Sequence, residues 1–322
     1  MDAVETLEIG SPGPLTTVQD IGRFGYGRYG VARSGAVDPF ALRVANILVG
    51  NPEQEAGLEM TLMGFRAGVL TDIVVAVTGG DLQPFLNDKP MQMWRSLLLH
   101  KGDTLSLRGL RNGCRAYLAL GGGLALSTVL GSKSTNLATK FGGFNGRPLR
   151  KGDILRTKDL RRSLKATGRV LDSGLLPSYG KSWTLRVLWG PQDEDFSSRV
   201  QDTFLEGPFR VTPQSDRTGI RLSGPLIEKR PGRPDSIISE GVIPGTIQVP
   251  PDGRPIIILG ETVTGGYRKI ATVITADLPW LGQIKPGDGV HFEQVSMEEA
   301  VRVLREMEDR LAGFRASFAA GA

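Results

Sequence analysis

Gln19, Asp20 and Arg23 sit within five residues of one another in the run Val18-Gln19-Asp20-Ile21-Gly22-Arg23-Phe24-Gly25, which continues through Gly30 to Ser34-Gly35-Ala36-Val37-Asp38. Gln19 offers a donor and an acceptor, Asp20 a carboxylate, and Arg23 a planar fork suited to carboxylate or phosphate. Ser34 adds a hydroxyl, and the intervening glycines let the backbone turn sharply or approach a ligand. Such a set could hold an amide-bearing or carboxylated substrate. The alternative is that Asp20 and Arg23 pair and brace a loop.

A second constellation runs Ser239-Glu240-Gly241, then Ile247-Gln248-Val249-Pro250, then Gly260-Glu261-Thr262-Val263-Thr264-Gly265-Gly266-Tyr267-Arg268-Lys269. Glu240 and Glu261 supply carboxylates, Gln248 an amide, Tyr267 a hydroxyl and Lys269 a cation. Thr264-Gly265-Gly266 reads as a ligand-cradling turn or as a hairpin. This is an equipped pocket without a metal. For Glu261 and Lys269 the alternative is a buried ion pair.

Other chemistries lack their ingredients. His100 and His291 are the two histidines and Cys114 the one cysteine, too isolated in sequence for a zinc site or a Ser-His-Asp system. Cys114 opens an apolar run and is expected to be a core thiol. Leu130-Gly131-Ser132-Lys133-Ser134-Thr135 lacks the residue order of a phosphate-binding loop, and Gly121-Gly122-Gly123 lacks the dinucleotide fingerprint.

The elements that must position these residues read as mainly β with a few helices. Short apolar runs at Ile73 to Val77, Ala116 to Leu120, Leu185 to Leu188, Ile256 to Leu259 and Val273 to Thr275 end in Gly, Pro or Asp. Asp38 as N-cap and Pro39 predict a helix stopping at Gly50-Asn51. Ser296 and Glu299 predict a second, with Val301, Leu304, Met307 and Leu311 on one face and fraying from Gly313 to Ala322. Trp94 and Trp280 each precede a Gly-Asp turn and a strand, suggesting a duplication; Lys151-Gly152-Asp153 gives a third turn of this kind. The polar stretch Lys158 to Lys181 separates an N-terminal domain, 1–165, from a C-terminal domain, 181–322, that includes the terminal helix.

The 322 residues are 40% hydrophobic and 23% charged, with 43 glycines and 20 prolines, as for a globular protein of two domains rich in turns. A net charge of +5 is spread along the chain, with its densest stretch around Arg161 and Arg162, and predicts neither a nucleic-acid nor a membrane partner. The acidic start Met1-Asp2-Ala3-Val4-Glu5 is unlike a signal peptide, so a cytoplasmic protein is expected.

Together, the Val-Gln-Asp-x-Gly-Arg run, Gly30 to Asp38, Asn46-Ile47-Leu48-Val49-Gly50-Asn51, Ser239-Glu240-Gly241, Ile247 to Pro250 and Thr264-Gly265-Gly266-Tyr267 closely resemble the biotin-dependent carboxyltransferase family, in its KipA or allophanate hydrolase subunit 2 branch. The resemblance implies two cyclophilin-like β-barrel domains and a KipI-like partner subunit. With a third, LamB/YcsF-like subunit, it implies an ATP-dependent 5-oxoprolinase that opens a cyclic amide to glutamate, the leading reading of the three that follow from it. The second is a carboxyltransferase using carboxybiotin on urea or another amide. Since no Met-Lys-Met sequence occurs, biotin would arrive on another chain. The third is a KipA-like antagonist of a KipI-type inhibitor of a histidine kinase. Carried over, Gln19, Asp20, Arg23, Ser34, Gln248, Thr264, Tyr267 and Lys269 would line the cleft. This chain departs from the family's usual Asp-Arg/Gln-Thr-Thr-Gly-Gly-Tyr-Pro in having Glu261, Val263 and Arg268.

Overall fold

The computed structural model describes residues 3–158 and 164–318, so Arg161, Arg162 and the last four residues of the expected terminal helix lie outside the described residues. The chain clusters into two units. The first comprises Met1–Arg23, Ser34–Tyr179 and Arg310–Ala322; the second comprises Phe24–Arg33 and Gly180–Asp309.

The first unit carries β1 (Val4–Pro12), β2 (Leu15–Gln19), helix α1 (Pro39–Val49), β3 (Gly57–Thr61), β4 (Phe65–Val69), β5 (Ile73–Gly79), β6 (Pro84–Leu86), β7 (Lys89–Pro90), β8 (Ser96–Leu99), β9 (Thr104–Leu107), β10 (Arg115–Leu120) and β11 (Ile154–Thr157). These strands form a six-stranded sheet, β11-β1-β4-β9-β6-β7, and a five-stranded one, β2-β3-β10-β5-β8. Both contribute to one core, in which Leu7 and Ile9 of β1 meet Leu58, Val75, Val77 and Leu118 of the other sheet. Burial of that apolar surface is the main force holding the sheets face to face.

Helix α1 begins and ends as the sequence predicts. Asp38 Oδ1 accepts the Ala41 N–H at 2.8 Å, Pro39 follows, and Gly50 closes the helix at φ 78°. The cap is itself held from below, because the Asp38 N–H donates to Tyr117 Oη and that hydroxyl donates to Glu59 Oε2, both at 2.8 Å. Burial raises the Tyr117 pKa well above its ordinary value, so the phenol stays neutral and keeps its proton to donate.

The second unit carries β12 (Ser182–Trp189), helix α2 (Ser198–Glu206), β13 (Phe209–Val211), β14 (Gly219–Ser223), β15 (Glu240–Gly241), β16 (Thr246–Val249), β17 (Ile256–Ile258), β18 (Thr264–Gly265), β19 (Arg268–Val273), helix α3 (Leu278–Leu281) and β20 (Gly289–Gln294). Seven of these strands close a barrel in the order β12-β19-β16-β17-β14-β13-β20, sealed by the parallel pair β12 and β20, while β15 and β18 form a separate ribbon. Phe204 of α2 stacks on Phe292 of β20 with ring centroids 4.4 Å apart, which plugs the helix into the barrel wall. The run Val273 to Thr275 leaves the strand after Val273 and turns into a 3₁₀ segment.

Helix α4 (Met297–Ser317) starts where expected, with Ser296 Oγ accepting the Glu299 N–H at 3.2 Å. It does not fray at Gly313. Leu311 and Phe314 are buried in the first unit beside Val44, Leu48 and Val74, and Phe314 packs edge-on against Phe318 at 5.0 Å. This anchoring outweighs the roughly 1 kcal/mol that an internal glycine costs a helix.

The three Gly-Asp turns share one geometry. The N–H groups of Asp103, Asp153 and Asp288 donate to the carbonyls of His100, Arg150 and Lys285 at 3.0, 3.1 and 3.1 Å, and each carboxylate accepts the N–H of that same residue three positions back. The Trp lead-in is not shared, since Trp94 precedes β8 whereas Trp280 lies inside α3. The repeated feature is therefore the turn. Among the described residues no helix is long and apolar enough to cross a membrane.

Candidate active site

The first polar cluster belongs to the first unit and is buried. Gln19 ends β2, accepts the Gly35 N–H at 3.1 Å, and donates to Thr17 Oγ1 at 3.0 Å and Thr135 O at 3.2 Å. The Asp20 carboxylate accepts four hydrogen bonds, from Gly22 N, Ser132 Oγ, Lys133 N and Ser134 Oγ at 2.8, 2.7, 2.6 and 2.5 Å. Arg23 donates from Nη2 to Ser134 O at 2.6 Å and lies 4.7 Å from the centre of the Phe141 ring. Asp20 and Arg23 thus both grip the 129–135 loop, each through the loop itself.

That grip decides what the loop can hold. The Lys133 and Thr135 N–H groups go to Asp20 and Val18, and Lys133 Nζ lies 2.5 Å from Glu55 Oε1. The donors a phosphate cradle needs are committed within the protein, so these residues do not fit a nucleotide phosphate. Ser34 is different. It is buried with φ 54°, and its Oγ has no hydrogen-bond partner. Gly35 follows at φ 89° and lies so close to Gly22 that a Cβ would come within 2.8 Å of the Gly22 nitrogen.

The second cluster belongs to the second unit, and a bulge assembles it. Strands β16 and β19 pair with Ile247 opposite Ala271 and Gln248 opposite Lys269, which leaves Ile270 as an extra residue in β19. Directly opposed residues share a face, so the register puts Gln248 and Lys269 side by side. Both are buried, at 4% exposure each. Lys269 Nζ lies 3.4 Å from Glu240 Oε2 and donates to Gln192 Oε1 at 3.4 Å, while Gln192 Nε2 donates to Glu240 Oε1 at 3.0 Å. Glu240 is half exposed and carries this network to solvent.

The ribbon lies over Gln248. Glu240 of β15 pairs with Gly265 of β18, and a Cβ on Gly265 would fall 2.0 Å from Gln248 Nε2. That Nε2 is buried without a hydrogen-bond partner. Ser239 Oγ would meet a Cβ on Gly266 at 3.4 Å, and Tyr267 is 38% exposed. Thr264 is exposed on the same ribbon.

Glu261 and Lys269 do not pair as the sequence suggests. Glu261 Oε1 accepts from Arg217 Nη2 at 3.2 Å, with both side chains nearly enclosed, and Lys269 takes Glu240. Burial favours the guanidinium for Glu261 because its donors are fixed in a plane matching a carboxylate. Arg268 holds the site from behind. It donates from Nε to Asp195 Oδ2 at 2.7 Å and from Nη1 to Pro234 O at 2.6 Å, tying β19 to the segment leading into the ribbon.

Gln192, Arg217 and Asp195 were not singled out by sequence. Gln192 carries a faint signal, since it follows the Gly190-Pro191 break that ends β12, but Arg217 has none that distinguishes it from other loop arginines. Among the described residues no group of His, Cys, Asp and Glu could hold a metal ion. The chemistry available is that of two donors, Gln248 Nε2 and Lys269 Nζ, beside one carboxylate: suited to an amide carbonyl and the charge that develops on it.

The chain is 38% identical over 304 residues to a 5-oxoprolinase subunit of Escherichia coli (strain K12), covering 94% of this chain and 95% of that one. The corresponding protein of Haemophilus influenzae is 35% identical over 295 residues, covering 91% and 92%. A urea amidolyase of Lachancea kluyveri is 36% identical across 94% of this chain, which spans 18% of that longer protein. The crystal structure of the urea amidolyase of K. lactis superposes with a TM-score of 0.90 at 31% identity, over 98% of this chain and 20% of that one. The family model for the carboxyltransferase domain, subdomain A and B, matches residues 29–294, which takes in Ser34 and the whole Gln248–Lys269 cluster. On that match, which runs through both units, the chain belongs to the carboxyltransferase domain family of subdomains A and B.

Proposed function

We propose that this chain is a subunit of a cytoplasmic 5-oxoprolinase complex, a hydrolase of cyclic amides that opens the lactam of 5-oxoproline to glutamate and is active only when assembled. The observation that carries this reading is the near end-to-end similarity to the 5-oxoprolinase subunit of Escherichia coli. Its partners in the complex are a KipI-like and a LamB/YcsF-like subunit. ATP supplies the activation of an otherwise unreactive lactam carbonyl, and the 129–135 loop does not fit its phosphates.

In this reading Gln248 Nε2 and Lys269 Nζ donate to the lactam oxygen as charge builds on it, worth on the order of 10²–10³ in rate for one such donor. Glu240, bound to Lys269 and reaching solvent, exchanges protons with the site. Gly265 and Gly266 let the backbone approach the ring, with Ser239, Thr264 and Tyr267 at the edge. Gln19, Asp20, Arg23 and Ser34 shape the first unit's buried loop, and Glu261 is fixed by Arg217.

The test is ATP-dependent release of glutamate from 5-oxoproline by this chain alone, with the KipI-like protein, and with the LamB/YcsF-like protein added. Glutamate only in the full mixture, lost with Lys269→Met, supports the reading. No glutamate from an assembled, folded mixture refutes it.

The similarity to urea amidolyase supports a second reading, carboxyl transfer from carboxybiotin on another chain to urea or a related amide. Carboxylated product from a biotinylated carrier and no oxoprolinase activity would favour it. Loss of kinase control without loss of 5-oxoproline use would favour the KipA-like antagonist.

A further inference from the structure

In the first unit, segments around Gly79–Phe85, Pro90–Arg95 and Val170–Tyr179, with Arg111 and Asn112, line an open cavity of about 590 Å³, within the range that accommodates small ligands. None of its lining residues belongs to the Asp20 or Lys269 clusters. Its walls are aromatic and thioether, with Phe85, Met91, Met93, Trp94 and Tyr179 among them. Such side chains offer a broad apolar surface, and the methionines can adjust to an irregular body. Val170 and Leu176 stand 52% and 46% exposed on the same wall.

Two cationic side chains line the cavity, and they are not equivalent. Arg111 is neutralised by Asp81, with Nη1 and Oδ2 2.9 Å apart. Arg95 donates from Nη1 to the Gln92 amide oxygen, a neutral acceptor, and its Nε is buried with no acceptor at all. A guanidinium whose side-chain partner is a neutral amide is left without a countercharge on this wall. The backbone adds a second sign. Gln83 and Trp94, both on the cavity wall, hold φ of 52° and 59°, a strained region for residues with a side chain and one that concentrates at ligand clamps.

We propose that this cavity binds a small organic monocarboxylate with a flat apolar body, its carboxylate on Arg95 and its body against Trp94, Met91 and Met93. One carboxylate supplies the countercharge that the neutral Gln92 oxygen does not. With Asp81 and Arg111 paired to each other, Arg95 is left as the uncompensated cation of this wall, which suits one carboxylate rather than two, and inorganic phosphate lacks the flat apolar body the wall would cover. The site is independent of the proposed lactam chemistry.

The probe is benzoate, titrated into the full-length chain and followed by the fluorescence of Trp94 against a Trp94→Phe control and by calorimetry. Saturable binding of one equivalent is expected, weakened at least tenfold by Arg95→Met and by the cavity-filling Met93→Trp, with benzamide and inorganic phosphate each binding at least tenfold more weakly. Lys269→Met should bind benzoate as the parent does, whatever its effect on glutamate release. The proposal is overturned if benzoate shows no saturable binding up to millimolar concentration, if folded Arg95→Met and Met93→Trp both bind it unchanged, or if benzamide binds equally well. Should Arg95→Met fail to fold, the Met93→Trp and benzamide comparisons decide.

Discussion

Replacing Asp195 by asparagine removes one charge from the junction between β19 and the segment that leads to the ribbon. Asp195 accepts from Arg268 Nε at 2.7 Å and from Arg233 Nε at 2.9 Å, but the two arginines differ in setting: the Arg268 side chain is 3% exposed and that of Arg233 50%. Removing one partner of a buried pair costs about 3–5 kcal/mol because the other charge stays behind. Here Pro234 O still accepts from Arg268 Nη1, and asparagine keeps one acceptor oxygen, so about 2–3 kcal/mol is expected. At about 1.4 kcal/mol per tenfold, this is roughly a 30- to 150-fold increase in local opening. Hydrogen exchange of the β19 amides reads it directly. Arg233→Ala removes only the exposed half of the arrangement and should stay below about 1 kcal/mol, or roughly fivefold. If the two variants raise exchange equally, or Asp195→Asn changes it by less than Arg233→Ala, the inference that burial sets the value of this pair is wrong.

Phe314→Ala should destabilise the first unit by about 3–5 kcal/mol, the usual loss for a buried phenylalanine, seen as a lowered melting temperature of that unit. Gly265→Ala places a methyl against Gln248 Nε2 and should lower glutamate release by the assembled complex while leaving the melting profile of the first unit unchanged. Asp153, whose pKa is lowered chiefly by its hydrogen bonds from Arg147, stabilises the fold at neutral pH and loses that contribution as pH falls below the ordinary carboxylate value and through its own folded value. Asp153→Asn should therefore cost about 1 kcal/mol or less at pH ~7, given partial solvent screening, and the gap to the parent should close in acid urea titrations. Tyr117→Phe removes the donor to Glu59 and the acceptor for Asp38, with an expected loss of about 1–3 kcal/mol in urea unfolding.

Local signals carried much of this architecture. The start and stop of α1 are written in Asp38-Pro39 and Gly50, and the β5, β10 and β17 strands in short apolar runs between breakers. What local signals could not carry is tertiary. The last turns of α4 persist because Phe314 finds a core made of residues more than 140 positions earlier, Val44, Val74 and Leu171 among them, and α2 has Phe204 as its one buried side chain, too little for a clear stripe. At the candidate site the residue types were legible but their partners were not. The pairing of Gln248 with Lys269 depends on a single-residue bulge at Ile270, which shifts the register without any breaker residue in β19. Glu261 and Lys269 each had a plausible partner in the other until Arg217 and Glu240, placed by separate strands and loops, took those positions.

The path of α4 also bears on how the chain is made. Its Leu311 and Phe314 complete the interior of a unit whose strands are synthesised first, with the whole of Gly180–Asp309 emerging in between. At about 5–20 residues per second, the early strands wait on the order of 10 s for their last two core side chains. During that interval Val44, Leu48 and Val74 lack the cover of Leu311 and Phe314, so a nascent chain stalled before residue 310 should recruit holding chaperones, and release of the segment that carries these two side chains should end that dependence.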